Sequence, residues 1–186
     1  MAGGPHEWRP SGYCPDVNDM NGDGVPDEQV LGASLHAELL RSGATLGTAE
    51  SLTGGALADL LSASPGAGET YLGGVVCYAT EVKQQLLGVA AETVATHGVV
   101  SEECASEMAR GVRSLLGTDW GVSTTGVAGP TEQEGKPVGL VFVAVAGPHG
   151  TRCEQLDLHG DRAEIRLQTC LRAAALTLEG VAGVAV

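Results

Sequence analysis

Apolar residues return along this chain at helical and strand spacings in turn. Leu31, Leu35 and Leu39 recur every four residues, and Val30 and Leu40 widen the stripe, so residues 27–43 predict an amphipathic helix. Asp27 and Glu28 suit its first turn and Gly43 its end. The small apolar run at 44–49 predicts a buried strand, and residues 53–64 a helix halted by Pro65-Gly66. Residues 71–79 predict a second strand, weakened at Gly73-Gly74, and 80–89 a short helical turn. Ser101, Glu102 and Glu103 open a helix that Gly117 ends. Residues 120–126 and 138–147 are apolar runs of strand length, the second apolar on both faces as in a strand covered by helices. Residues 151–158 alternate like an edge strand. Asp161, with Glu164 three residues on, opens a last helix over 161–181 with capping-box spacing.

Strands alternating with helices predict an α/β fold, a single domain over 27–186 with helices on both faces of one sheet. Only "GPHG" separates the strands at 138–147 and 151–158, so they form a hairpin and the sheet is mixed rather than all parallel. Residues 1–26, rich in Gly, Pro, Asp and Asn, predict a flexible tail.

Composition narrows the function. The chain has 186 residues, 43% hydrophobic but only 3% aromatic, so Val, Leu, Ala and Gly must fill the core. A net charge of −13 repels phosphate backbones and argues against nucleic-acid binding. The five cysteines show no C-x-x-C spacing, which points away from a disulfide framework or zinc cluster and toward a reducing compartment. Neither a secretory leader nor an apolar run of about 18 residues stands out, so a cytoplasmic protein without a membrane span is expected.

Four polar, glycine-rich clusters fall at predicted strand ends or helix starts, where sites form in open α/β sheets. In "AESLTGG", Ser51 reads as a helix cap or a nucleophile, and Glu50 as a capping carboxylate or a ligand contact. Thr53 suits a cap, and Gly54-Gly55 let a ligand approach the backbone. In "CYATEVK", a lysine just beyond a buried strand can lose its proton to desolvation and serve as base for a serine, or Lys83 simply sits on a surface helix. Tyr78 reads equally as core. In "TTGVAGP", Thr125, Gly126, Ala128 and Gly129 form a loop able to cradle an oxyanion, or a plain turn before Pro130. In "HGDRAEIR", Arg162 and Arg166 share one helix face and suit a phosphate or carboxylate clamp, or surface ion pairs with Asp161 or Glu164. Within residues 1–27, Asp19, Asn21, Asp23 and Asp27 occupy positions 1, 3, 5 and 9 of a calcium-type loop, with Val30 where the bidentate Glu belongs. They make a weak calcium candidate; no other metal or cofactor is expected.

Taken in order, "TAESLTGG", "YATEVKQQLLGV", "HGVVSEECASEMARGV", "TTGVAGP", "KPVGLVFVAV" and "HGDRAEIR" resemble the CinA C-terminal domain family of competence/damage-inducible proteins. The resemblance implies a three-layer α/β/α sandwich with a mixed, mostly parallel sheet. It implies a metal-free amidohydrolase that converts nicotinamide mononucleotide to nicotinate mononucleotide and ammonia, and that self-associates. Ser51 matches the family's nucleophile, and Tyr78 and Lys83 the residues that activate it. Thr125 and the loop after it match the ligand-facing motif, and Arg162 lies in the matching Gly-Asp-Arg motif. Two stretches depart from the family pattern: Ala79-Thr80 stands for Ser-Asn, and "EQEG" at 132–135 for a glycine-rich run. Those departures motivate the rival expectation, a nucleotide- or partner-binding domain without catalysis.

Overall fold

A computed structural model describes residues 27–183. Five strands form one sheet: β1 (Leu46–Glu50), β2 (Tyr71–Val76), β3 (Trp120–Gly126), β4 (Leu140–Gly147) and β5 (Gly150–Asp157). Their order is β2-β1-β3-β4-β5. β1 pairs in parallel with β2 and β3, while β4 runs antiparallel to both β3 and β5. The sheet is thus mixed, with β4 alone reversed. Gly147 pairs with Gly150, so Pro148 and His149 make the two-residue turn of the expected hairpin. The β2 edge alternates in exposure and leaves Leu72 and Val76 about half exposed, whereas β5 alternates only toward its end.

Six helices cover the two faces. On one lie α1 (Glu28–Ser42), α2 (Ala56–Ser62) and α6 (Arg162–Val181); on the other lie α3 (Thr80–Leu87), α4 (Ala91–His97) and α5 (Glu102–Leu116). The first face buries Leu31, Leu35, Leu57, Ile165 and Leu176 against Val143; the second buries Met108, Val112 and Val100 against Ala144. This is the three-layer sandwich, and small Val, Ala and Leu side chains do fill it.

Most boundaries follow local chemistry. Asp27 accepts from the N–H groups of Gln29 and Val30 to open α1, and Gly43, at φ 64°, closes it. Ser101 caps α5, and Asp161 with Glu164 completes the capping box of α6. Two features differ from the sequence expectation. Helix α2 begins only at Ala56, because Thr53–Gly55 form a turn with left-handed glycines at φ 60° and 99°. Helix α4 was not expected. It has no side-chain cap of its own, and Glu107 of α5 supplies one by accepting from the Ala90 N–H and the Thr93 hydroxyl.

Asp27 is spent as a helix cap, which argues against its place in a calcium loop. Asp19, Asn21 and Asp23, like the tail expected over 1–26, lie outside the described residues. Among the described residues, no acidic, His or Cys cluster could hold a metal ion, and no helix is long and apolar enough to cross a membrane.

Candidate active site

The chain crosses from β1 to β2 on one side and then back over β1 to β3 on the other. Such a switch point opens a crevice at the carboxyl ends of the strands. Ser51, Cys77 and Val127 directly follow the three parallel strands there. Strand β5 runs the same way as β1 and delivers the start of α6 to the same edge. A cleft of about 310 Å³ results, lined by Ser51, Leu52, Tyr78 and Arg162 on one side and by the loop from Gly126 to Gln133 on the other.

Lys83 is the centre of the site. It is only 1% exposed, yet no carboxylate pairs with it among the described residues. Its Nζ donates to the Cys77 carbonyl at 2.7 Å, the Tyr78 carbonyl at 3.4 Å and the Ser51 hydroxyl at 3.1 Å. Residues 32 apart in sequence meet because α3 follows the end of β2, packs on α5 and buries Lys83. Burial pushes the neighbouring Cys77 thiol above its usual range, so it stays protonated near neutral pH and is a poor nucleophile.

Glu50 does not face a ligand, contrary to the substrate-binding role expected. It is 1% exposed, and its carboxylate accepts from the N–H groups of Gly55 at 2.9 Å, Leu57 at 3.1 Å and Ala58 at 2.8 Å. It therefore caps α2 from within the fold, placing a negative charge at the positive end of the helix. Thr53 is correspondingly not the cap. Its buried hydroxyl bonds Thr124 at 2.8 Å, and neither group reaches the cleft. The Gly55 N–H, expected to be open to a ligand, is occupied by Glu50. The N–H groups of Leu52, Thr53 and Gly54 have no protein acceptor among the described residues.

Thr125 also turns away. Its buried hydroxyl donates to the Val99 carbonyl at 2.6 Å, whereas Gly126, Ala128 and Gly129 do line the cleft. Tyr78 is exposed, and its hydroxyl accepts from Arg162 at 3.0 Å instead of bridging Lys83 and Ser51. Arg162 also donates to the Gly129 carbonyl at 2.7 Å, which ties the loop after β3 to α6. The two arginines do not form a joint clamp. Arg166 is committed to the Thr53 carbonyl, which it meets at 2.5 and 3.2 Å, and so fixes the turn that carries Ser51. Neither arginine is ion-paired among the described residues. Thr124 and the Cys77 carbonyl were missing from the sequence-based site, whereas Arg166 was expected there as half of a clamp. Neither Thr124 nor the Cys77 carbonyl carried a sequence signal, because each acts through a partner distant in the chain or through its backbone.

Known proteins resemble this chain in sequence and fold. A family model described as the CinA C-terminal domain matches residues 28–181. A CinA-like protein of Frankia casuarinae is 47% identical over 160 residues, 86% of this chain and 37% of that protein. One from Gloeobacter violaceus is 46% identical over 155 residues, 82% of this chain and 36% of that protein. The chain thus spans a little over a third of the length of these curated relatives. Among solved structures, a competence-damaged protein (CinA) superfamily protein from Klebsiella pneumoniae superposes with a TM-score of 0.82 at 35% identity, covering 84% of this chain and 99% of that one. The competence/damage inducible protein CihA from Agrobacterium tumefaciens gives 0.79 at 32% identity, covering 87% and 97%. The chain belongs to the CinA C-terminal domain family.

Proposed function

We propose that this chain is a serine amidohydrolase acting on a small pyridine nucleotide, nicotinamide mononucleotide. The observation that carries the reading is the 3.1 Å contact between buried Lys83 and Ser51. A neutral amine has two N–H bonds and one lone pair. The carbonyls of Cys77 and Tyr78 can take the two N–H groups, which leaves the lone pair for the Ser51 proton. Ser51 Oγ then attacks the carboxamide carbon as Lys83 takes that proton. The free N–H groups of the turn at Leu52–Gly54 suit the developing oxyanion. Lys83 passes the proton to the departing nitrogen, the C–N bond breaks and ammonia leaves. Water, deprotonated by Lys83, attacks the ester, and the same proton returns to Ser51 Oγ to release nicotinate mononucleotide. Arg162, at the cleft wall and the first turn of α6, suits the substrate phosphate. The geometry favours a direct Lys83–Ser51 transfer, with Tyr78 as wall rather than relay.

Ammonia release from nicotinamide mononucleotide tests the reading. Ser51→Ala should lower kcat by roughly three to six orders of magnitude while the nucleotide still binds. Retained turnover in that variant rules out Ser51 as nucleophile. Tight binding by the wild-type chain with no turnover favours the rival, a binding domain that keeps the cleft without its chemistry. We also propose that the chain self-associates, as the family resemblance implies.

A further inference from the structure

The departure at 132–135 has a structural purpose. Gln133 and Lys136 pair across a tight hairpin whose tip is Glu134-Gly135. Glu134 has φ 54°, the only non-glycine residue with positive φ among the described residues, and such a conformation persists only where its surroundings enforce it. The enforcement is visible. The Glu134 carboxylate accepts from the N–H groups of Val99 at 3.2 Å and Val100 at 3.3 Å. Lys136 donates to the carbonyls of His97 at 2.7 Å and Val100 at 2.5 Å, and lies 3.6 Å from Glu134. A Cβ on Gly98 would collide with the Glu134 carboxylate. The hairpin is therefore stapled to the junction of α4 and α5. Its other side forms the cleft wall through Thr131, Glu132 and Gln133. Those three side chains make no hydrogen bond among the described residues, although the hairpin around them is fully engaged.

We infer that this stapled hairpin is the specificity element of the cleft, with Glu132 accepting hydrogen bonds from the vicinal hydroxyls of the ligand's ribose. The inference rests on the nucleotide reading above. A carboxylate repels a phosphate, so Glu132 cannot serve that end of the ligand, which falls to Arg162. A sugar diol presents two O–H donors, and a single carboxylate accepts both. Glu134 and Lys136 are positioning residues that hold the backbone carrying Glu132. Fixing that backbone matters because a Glu on a loop ordered only on binding would lose more of the gain to entropy.

The test measures binding rather than turnover. Full-length Ser51→Ala is titrated calorimetrically with nicotinamide mononucleotide and with its 2′,3′-dideoxy analogue. Removing both hydroxyls should weaken binding at least about tenfold when Glu132 is present, and less than about twofold when Glu132→Ala is added. Glu134→Ala should reproduce the weaker binding and the lost discrimination, and Glu134→Gln, which keeps an acceptor, should restore part of both. If Glu134→Ala fails to fold, Lys136→Met tests the same staple. An equal loss for both ligands on Glu132→Ala, no loss for either, or no binding of the nucleotide overturns the inference. Ammonia release is a separate readout: its absence alongside intact discrimination by Glu132 sinks the amidohydrolase and leaves the ribose contact standing.

Discussion

Glu50 settles more of the site than any other side chain, because it spends a charge inside the fold to shape a turn. Its carboxylate meets three helix N–H groups, so the chain from Ser51 to Gly55 has to pass over it in one fixed path. Glu50→Gln turns an amide NH2 toward those donors and removes the charge. It should cost roughly 2 kcal/mol of stability by denaturant titration, and lower kcat by misplacing Ser51. Unchanged stability would mean the cap is dispensable. The sequence made the residue types at this site visible, but not their partners. Ser51 and Lys83 were readable as a nucleophile and an amine, and the family motif order joined them. The buried orientation of Thr125 and the Tyr78–Arg162 bond depend on which way a strand or loop faces at its last residue, and no local pattern encodes that.

Element by element, legibility follows where each cap comes from. Helices α1, α5 and α6 carry their own caps within three residues, and their limits were readable. Helices α2 and α4 take theirs from Glu50 and Glu107, so α2 was drawn too long and α4 was missed. The outer face of β5 and α6 holds a different device. Arg172 bonds both Glu154 and Glu179, and Arg152 bonds the same two carboxylates. The Arg172 hydrogen bond holds the Glu154 carboxyl below its ordinary range, outweighing the opposing effect of burial. A carboxyl with a lowered folded pKa stabilises above its unfolded value of about 4.3, and loses that contribution as pH falls through the folded pKa. Melting temperature should therefore decline as pH drops from about 5 toward 3. Glu154→Gln should be less stable at pH 7, by about 1 kcal/mol after allowance for partial exposure, and show a shallower acid limb. Parallel acid limbs would show that this cluster is not what acid breaks.

Over the whole molecule, two cores of small aliphatic side chains clasp one sheet, and the cleft sits on the edge where three parallel strands end together. The α/β class followed from the alternation of periods, and the hairpin and the mixed sheet from the short "GPHG" connection. Strand order did not, because β3 inserts beside β1 through contacts some 74 residues apart in sequence, such as Asp119 with the Thr45 amide and hydroxyl. The open edge at β2 bears on the proposed self-association. Leu72 and Val76 are 50% and 51% exposed there, a short walk along the strand from Tyr78 in the cleft. Sedimentation should show a species larger than the monomer, and Leu72→Lys with Val76→Lys should shift it toward the monomer. A monomeric wild-type chain would remove the proposal, and an unshifted assembly would move its interface elsewhere.

The chain contains only two lysines, Lys83 and Lys136. One is buried against Ser51 and the other staples the cleft wall, so this protein carries no spare amine among its side chains. Amine chemistry used routinely on proteins, such as fluorophore attachment, resin coupling or crosslinking, has no neutral side chain to consume. Apart from the chain's own α-amino group, every such modification reports on the cleft or damages it.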